Sequence, residues 1–391
     1  MSTRVNPGLL PEIKKYGAVN ISACFNCGNC TAICPLSSGE ESFPRRMIRY
    51  AQVGMEDELL GSKELWQCYY CGECSKTCPR QAEPGEFIAA VRRYAIANYD
   101  VTGLARRSFK SPWMNVVFVI VMAIFFTIYL LSFNQGENYK QLMLWKFIPE
   151  VYVRSIGIAV FIIVGLVGLL GIIRMVRKIS QAGGLAFGSP VHWRNLNWWQ
   201  AIEETLFVQV LGQKDYREEE CEERDRTPLP LRKWFVHATI MYGFLGLFAA
   251  TALDFLFKSV GSWVPIYSPI RLLGTVSGLA LLYGTSIAFY KRLKKQDKYA
   301  SNSEAADWIL LVLLWLVGLT GFLLEIAGYA PAPATWGYPM LVIHVSLAMD
   351  LIIMLPFSKF AHVFYRSMAI FLYNLKSLPE RLPSQPVAQD G

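Results

Sequence analysis

Eight cysteines fall in two copies of one phrase, "CFNCGNCTAICP" from Cys24 to Pro35 and "CYYCGECSKTCP" from Cys68 to Pro79. Each reads C-x2-C-x2-C-x3-C-P. Three thiolates at this spacing on a tight loop suit three corners of a cubane, and in two-cluster ferredoxins the fourth cysteine of such a run ligates the other cluster. The spacing predicts two [4Fe–4S] centres with crossed ligands: Cys24, Cys27, Cys30 and Cys78 for the first, Cys68, Cys71, Cys74 and Cys34 for the second. Zinc is the competing reading, because four thiolates also make a tetrahedral zinc site. Zinc sites, however, pair separated C-x-x-C hooks, and neither the triple hook nor its trailing proline is expected of them. The ninth cysteine, Cys221, stands alone in "REEECEERDR" and reads as an incidental thiol.

Three of the four histidines, His237, His344 and His362, lie in apolar runs, where an imidazole is costly and therefore points to function. On one helix His344 and His362 would be five turns apart, on one face and about 27 Å along the axis. His237 and His362 each lie about one turn from the same end of their runs, so they can meet as the axial pair of a haem b. His344 lies at the opposite level. There the facing run offers Phe248 and Asp254, not a histidine, so a second haem on His344 would have an open or unseen sixth ligand. His192, beside Trp193, reads as an interfacial side chain, with a ligand or quinone contact as the lesser alternative. Among the acidic groups Asp254, Glu325 and Asp350, the last is the best candidate for a proton relay in quinone chemistry, although helix pairing with a backbone or hydroxyl partner is the commoner use of such a residue.

Elements of two kinds must position these groups. The chain has 391 residues, 53% hydrophobic and only 17% charged, which puts it among membrane proteins, yet no long apolar run precedes Trp113. The expectation is an all-α protein: a two-cluster ferredoxin-like head over 1–108, a transmembrane cytochrome b body over 109–370, and a polar, proline-rich tail over 371–391. Six runs are long enough to span a bilayer, at about 113–133, 153–173, 234–257, 270–290, 308–327 and 340–365. Basic clusters "RMVRK", "RDRTPLPLRK" and "KRLKKQDK" alternate with weakly charged loops that carry Trp145, Trp263, Tyr267, Trp336 and Tyr338, so the net charge of +8 reads as a topology signal. The opening "MSTRVNPGLLPEIKKYG" lacks the apolar stretch of a secretory signal, and head and C-terminus are expected on the cytoplasmic side of the inner membrane. Between the second and third runs, "HWRNLNWWQAIEETLFVQVLG" suits an amphipathic piece on the membrane surface.

The wording "FPRRMIRYAQVG", "LLGSKELWQC" and "CSKTCP" resembles the helical ferredoxins, in particular the small iron–sulfur subunit of heterodisulfide reductase, over about residues 20–98. Residues 113–365 resemble the cytochrome b subunits of membrane-bound nitrate reductase and heterodisulfide reductase. His344 and His362 match the late histidine pair of the nitrate reductase type, and His237 matches one of its early pair; the other early position is not histidine. The full arrangement resembles the membrane subunits of quinone-modifying oxidoreductase complexes of sulfate-reducing prokaryotes. That resemblance implies menaquinone as substrate, two cytoplasmic flavin- and iron–sulfur-containing partner subunits, and adenylylsulfate reductase as the electron partner. A heterodisulfide-reductase-like or sulfite-linked membrane subunit is the alternative. An independent enzyme is disfavoured, because there is no Cys-Cys-Gly wording and no convincing G-x-G-x-x-G after a strand.

Overall fold

The computed structural model describes residues 5–37, 42–137, 140, 142–182, 196–214, 217, 227–260, 264–295, 303–330 and 334–375. His192, Cys221, Trp263 and the tail from residue 376 lie outside these ranges. Among the described residues the structure is helical throughout, with no strand.

Seven helices make the head: α1 Leu9–Lys14, α2 Asn29–Ile33, α3 Arg45–Val53, α4 Glu56–Leu60, α5 Glu73–Lys76, α6 Pro84–Tyr99 and α7 Leu104–Lys110. Helix α6 is its axis. Proline at its first turn starts it at no hydrogen-bonding cost, and Phe87, Ile88, Ala90, Val91, Ala95 and Ile96 are buried around most of its circumference. Helix α3 presents the stripe Met47, Ile48 and Ala51 to this core, the spacing of one helical face, and ends at Gly54 with φ +81°.

Five longer helices follow that are apolar enough to cross a membrane: α8 Pro112–Leu131, α10 Glu150–Gln181, α12 Lys233–Phe257, α13 Pro269–Leu293 and α14 Ala305–Tyr329. A short turn α9, Leu144–Phe147, joins α8 to α10. The outward faces of α8 and α10 expose Ile120, Val121, Ile124, Ile128, Ile162, Ile163, Leu166 and Leu169, the surface that a lipid-facing helix requires. With 32 residues, α10 is about 48 Å long against a hydrocarbon core of about 30 Å. Its surplus turns enter the head: Met175 and Ile179 are fully buried there, Arg174 donates to the carbonyl of Asp100 at 3.0 Å, and Lys178 meets Asp57 at 2.5 Å.

The run read as a sixth span, 340–365, is two helices. Helix α15, Gly337–Ile353, stops before Pro356, which cannot donate a backbone hydrogen bond and crowds the preceding turn. Two 3-10 turns, Leu355–Phe357 and Lys359–Ala361, lead into α16, His362–Asn374. His344 and His362 therefore do not share one helix face. Beside α16 lie α11, Trp198–Glu203, and a π-helical stretch, Glu204–Leu211, both between α10 and α12 in the chain. Trp198 packs on Phe371, while Trp199 and Phe207 point outward, as a surface-lying amphipathic piece requires.

Head and bundle share one core. Met175, Ile179, Phe357, Ala361, Tyr365, Ala369 and Leu372 belong to the same buried cluster as Leu9, Ile13, Met47, Trp66, Phe87 and Tyr99. The Tyr365 ring lies 5.6 Å from Trp66 and 5.2 Å from Tyr99. The composition changes near residue 108, but the packed core does not end there.

Candidate functional site

The two cysteine loops are backbone twins. Asn26 and Tyr70 both have φ +60°, and Gly28 and Gly72 both have φ +89° as N-caps of α2 and α5. A left-handed glycine after the second cysteine turns each chain sharply enough for the following helix to bring the third thiol back beside the first two. Helices α2 and α5 lie against each other, and the Asn29 amide donates to the carbonyl of Thr77 at 2.6 Å, tying one loop to the end of the other.

This packing brings each set of four together across the two loops. The charges that bear on Cys30 are those of Cys24, Cys27 and Cys78; those that bear on Cys74 come from Cys68, Cys71 and Cys34, with Cys30 behind them. Burial first, then the neighbouring thiolates, push Cys30 up to about 11 and push Cys74 up as well. Bare thiolates are costly here, and cationic iron would offset that cost. Among the described residues no three His, Cys, Asp or Glu side chains are placed to hold a single metal ion. Backbone amides already point at sulfur: Tyr70 N lies 3.3 Å from Cys68 Sγ and Ala82 N lies 3.4 Å from Cys78 Sγ. Hydrogen bonds of this kind tune cluster potentials.

The three histidines expected in spans, His237 and His344 on the apolar helices α12 and α15 and His362 outside the membrane-crossing helices at the start of α16, share one hydrogen-bonding pattern. His362 Nδ1 lies 2.8 Å from the carbonyl of Lys359, which can only accept. His344 Nδ1 lies 3.0 Å from Thr320 Oγ1, whose own hydrogen is given to Leu316 O at 2.7 Å. His237 Nδ1 lies 3.2 Å from Gln213 Oε1, delivered by the end of the π-helical stretch. With Nδ1 facing an oxygen in each case, a ring that carries its proton on Nδ1 would leave its lone pair on Nε2, the form in which an acceptor behind the ring prepares histidine for a metal. The donor set fits a haem iron.

His237, one turn into α12, and His362, at the start of α16, are close enough for the charge of one to bear on the other, and the charge of Arg366, one turn further along α16, bears on both. Phe360 packs on Phe244 of α12 at 4.9 Å and closes the same junction. His344 is elsewhere, against α14, where a side chain at Gly321 would come within 3.0 Å of its ring. Its distance from the other two now follows from separate helices rather than from five turns of one.

Asp350 is fully buried, and neither carboxylate oxygen has a hydrogen-bond partner among the described residues. The pairing expected of it is not made. The hydroxyl one turn earlier, Ser346, is engaged with Thr127 of α8 at 3.1 Å. Asp254 and Glu325, by contrast, are paired, Asp254 with Lys258 at 3.4 Å and Glu325 with Thr275 at 2.9 Å.

Gln213, Thr320 and Lys359 were not identifiable from sequence patterns. Only Lys359 stands near its histidine in the chain, three residues before it, and a backbone carbonyl leaves no mark in residue type.

A head with two four-thiol loops, fused to helices apolar enough to cross a bilayer, defines an iron–sulfur membrane protein. Residues 20–82 match the 4Fe-4S dicluster domain. Residues 122–381, about two thirds of the chain, match the family described as Citrate utilization protein B, and the chain belongs to that family. The Citrate utilization protein B of Escherichia coli is 30% identical over 160 residues, 40% of this chain and 41% of that protein. A subunit of the dihydromethanophenazine:CoB–CoM heterodisulfide reductase of Methanosarcina acetivorans is 27% identical over 210 residues, 47% of this chain and 75% of that subunit. A protein of Archaeoglobus profundus described as similar to a heterodisulfide reductase subunit is 36% identical over 100 residues, 25% of this chain and 53% of that protein. The chain thus spans about two fifths of the length of the Escherichia coli relative.

Proposed function

We propose that the chain is the membrane electron-transfer subunit of a quinone-linked oxidoreductase. In this reading electrons pass between menaquinol and cytoplasmic flavin/iron–sulfur subunits, through a haem b held by His237 and His362 and two [4Fe–4S] clusters held by the crossed cysteine sets. When bound, these groups supply one-electron carriers. The protein residues do the rest: eight thiolates hold iron, two imidazoles present Nε2 to it, and the buried carboxyl of Asp350 holds or passes a proton. His344 would hold a second haem, for which no second histidine is in view among the described residues. The head and C-terminus face the cytoplasm, as the basic loops favour.

The observation that carries the reading is a cation shared by the two regions: Arg366, one turn after His362 and close enough for its charge to bear on His237 and His362, lies over Tyr69, between Cys68 and Cys71. For the destination of the electrons we retain adenylylsulfate reductase in dissimilatory sulfate reduction. A heterodisulfide-reductase-like or sulfite-linked complex is the second reading, favoured by the relatives named after heterodisulfide reductase. Purification from its own membrane under anaerobic conditions, with iron, sulfide and haem assays and mass identification of bound subunits, tests both. Roughly eight iron, eight sulfide and haem b are expected, together with flavoprotein partners. Zinc instead of iron, or no haem, defeats the proposal.

A further inference from the structure

Lys359 touches the ring of His362 with its backbone and, through Asp307 of α14, reaches the head. Its carbonyl accepts the Nδ1 proton of His362 at 2.8 Å, and its ammonium lies 2.6 Å from Oδ1 of Asp307. Asp307, in the first turn of α14, is buried, and its other oxygen lies 3.7 Å from Nη2 of Arg93 on α6. Arg93 is buried too, and its Nη1 donates to Glu86 at 3.2 Å. Glu86 in turn accepts the hydroxyl of Tyr70, inside the Cys68–Cys71 loop. A row of alternating charge, Glu86, Arg93, Asp307 and Lys359, thus runs from a cysteine loop to the backbone that holds His362.

Stability alone is a poor reason for such a row. Buried ion pairs often contribute no more than well-packed apolar side chains would. The ammonium of Lys359 is half exposed and could be solvated fully, yet it is drawn onto Asp307. What the row does fix is the position of one carbonyl and the field at one imidazole. Groups that hydrogen-bond to the back of a ligand in this way orient it and tune its metal.

We infer that Asp307 and Lys359 are positioning residues for His362, setting the potential of the haem proposed there and locking the head against it. The inference rests on that haem. The negative charge of Asp307 favours the ferric state, which carries the extra positive charge, and the positive charge of Lys359 opposes it.

The test is a spectroelectrochemical titration of the full chain in membranes for wild type, Asp307→Asn, Lys359→Met and Lys359→Arg. Asp307→Asn should raise the midpoint of the low-spin haem and Lys359→Met should lower it. Lys359→Arg should stay near wild type, with haem and iron content unchanged throughout. A merely structural role would lower haem content or move both midpoints the same way. Unmoved midpoints, or shifts of one sign, overturn the inference while leaving the haem in place. Absence of haem from the wild type overturns the functional reading and this inference together. Lys359→Met and Lys359→Arg change a half-exposed side chain, so they remain informative if Asp307→Asn fails to fold.

Discussion

The guanidinium of Arg366 lies over the ring of Tyr69, 4.7 Å from its centroid. Arg366 follows His362 by about one turn of α16, and Tyr69 follows Cys68 directly. The loop that begins at Cys68 therefore meets the helix that carries His362. In the other loop Phe25 is 59% exposed, and Cys27, like Cys71, is at the surface.

This orders the two centres. In quinol-driven reduction followed by rapid-freeze spectroscopy, the centre assigned to Cys68, Cys71, Cys74 and Cys34 should be reduced before the centre assigned to Cys24, Cys27, Cys30 and Cys78. Arg366→Ala, which removes a contact of about 0.5–1 kcal/mol, should slow that first step without loss of iron. The reverse order would show that the seam is not the electron route.

Crossed ligation has its own signature. Cys78→Ser should perturb the spectrum of the Cys24, Cys27 and Cys30 centre, and Cys34→Ser that of the Cys68, Cys71 and Cys74 centre. If each change damages the centre adjacent in sequence, the electrostatic neighbours of Cys30 and Cys74 are not their co-ligands.

Tyr365 is almost fully buried between Trp66 and Tyr99, so its removal should loosen the head although it lies near the end of the described chain. Tyr365→Ala should cost about 3–5 kcal/mol, seen as cluster loss at lower temperature. Tyr365→Phe keeps the ring and should cost less than about 1.5 kcal/mol. By the same reasoning a fragment of residues 1–108 should hold its clusters less firmly than the full chain; equal firmness would mean that the shared core is dispensable.

Asp350 gives a test in which stability and activity part. A buried, unpartnered carboxyl is a burden on the fold, so Asp350→Asn should leave thermal stability unchanged or raised. Quinol-driven reduction should fall by about 10²-fold or more if the carboxyl passes the proton. Full activity in this variant would remove Asp350 from the mechanism.

Topology can be measured independently. Single cysteines introduced near Lys294 and near Trp336 should react with an impermeant thiol reagent from opposite sides of the membrane, Lys294 from the cytoplasm. Labelling of both from one side would remove the common level assigned to His237 and His362.

The cysteine spacing and the apolar runs were legible because ligation and membrane insertion act directly on residue type. The end of α10 was not. Arg174, Arg177 and Lys178 read as a basic loop, yet the helix continues through them, because the head supplies the Asp100 carbonyl and the Asp57 carboxylate as partners. Pro356 was in plain view, but the apolar run around it looked continuous, and hydropathy does not register a missing backbone donor. The acceptors on the histidines come from segments 24 residues away for His237 and His344, a relation that only the folded chain creates.

The shared core also bears on biogenesis. Synthesis proceeds from the N-terminus, so the cysteine loops emerge first, while the wall formed by Phe357, Ala361, Tyr365 and Leu372 emerges only after all five long helices. Until then Trp66 and Tyr99 present an open apolar face. Completion of the head's core and membrane integration are thereby placed on one clock: the head acquires its last apolar wall only when the bundle has been threaded.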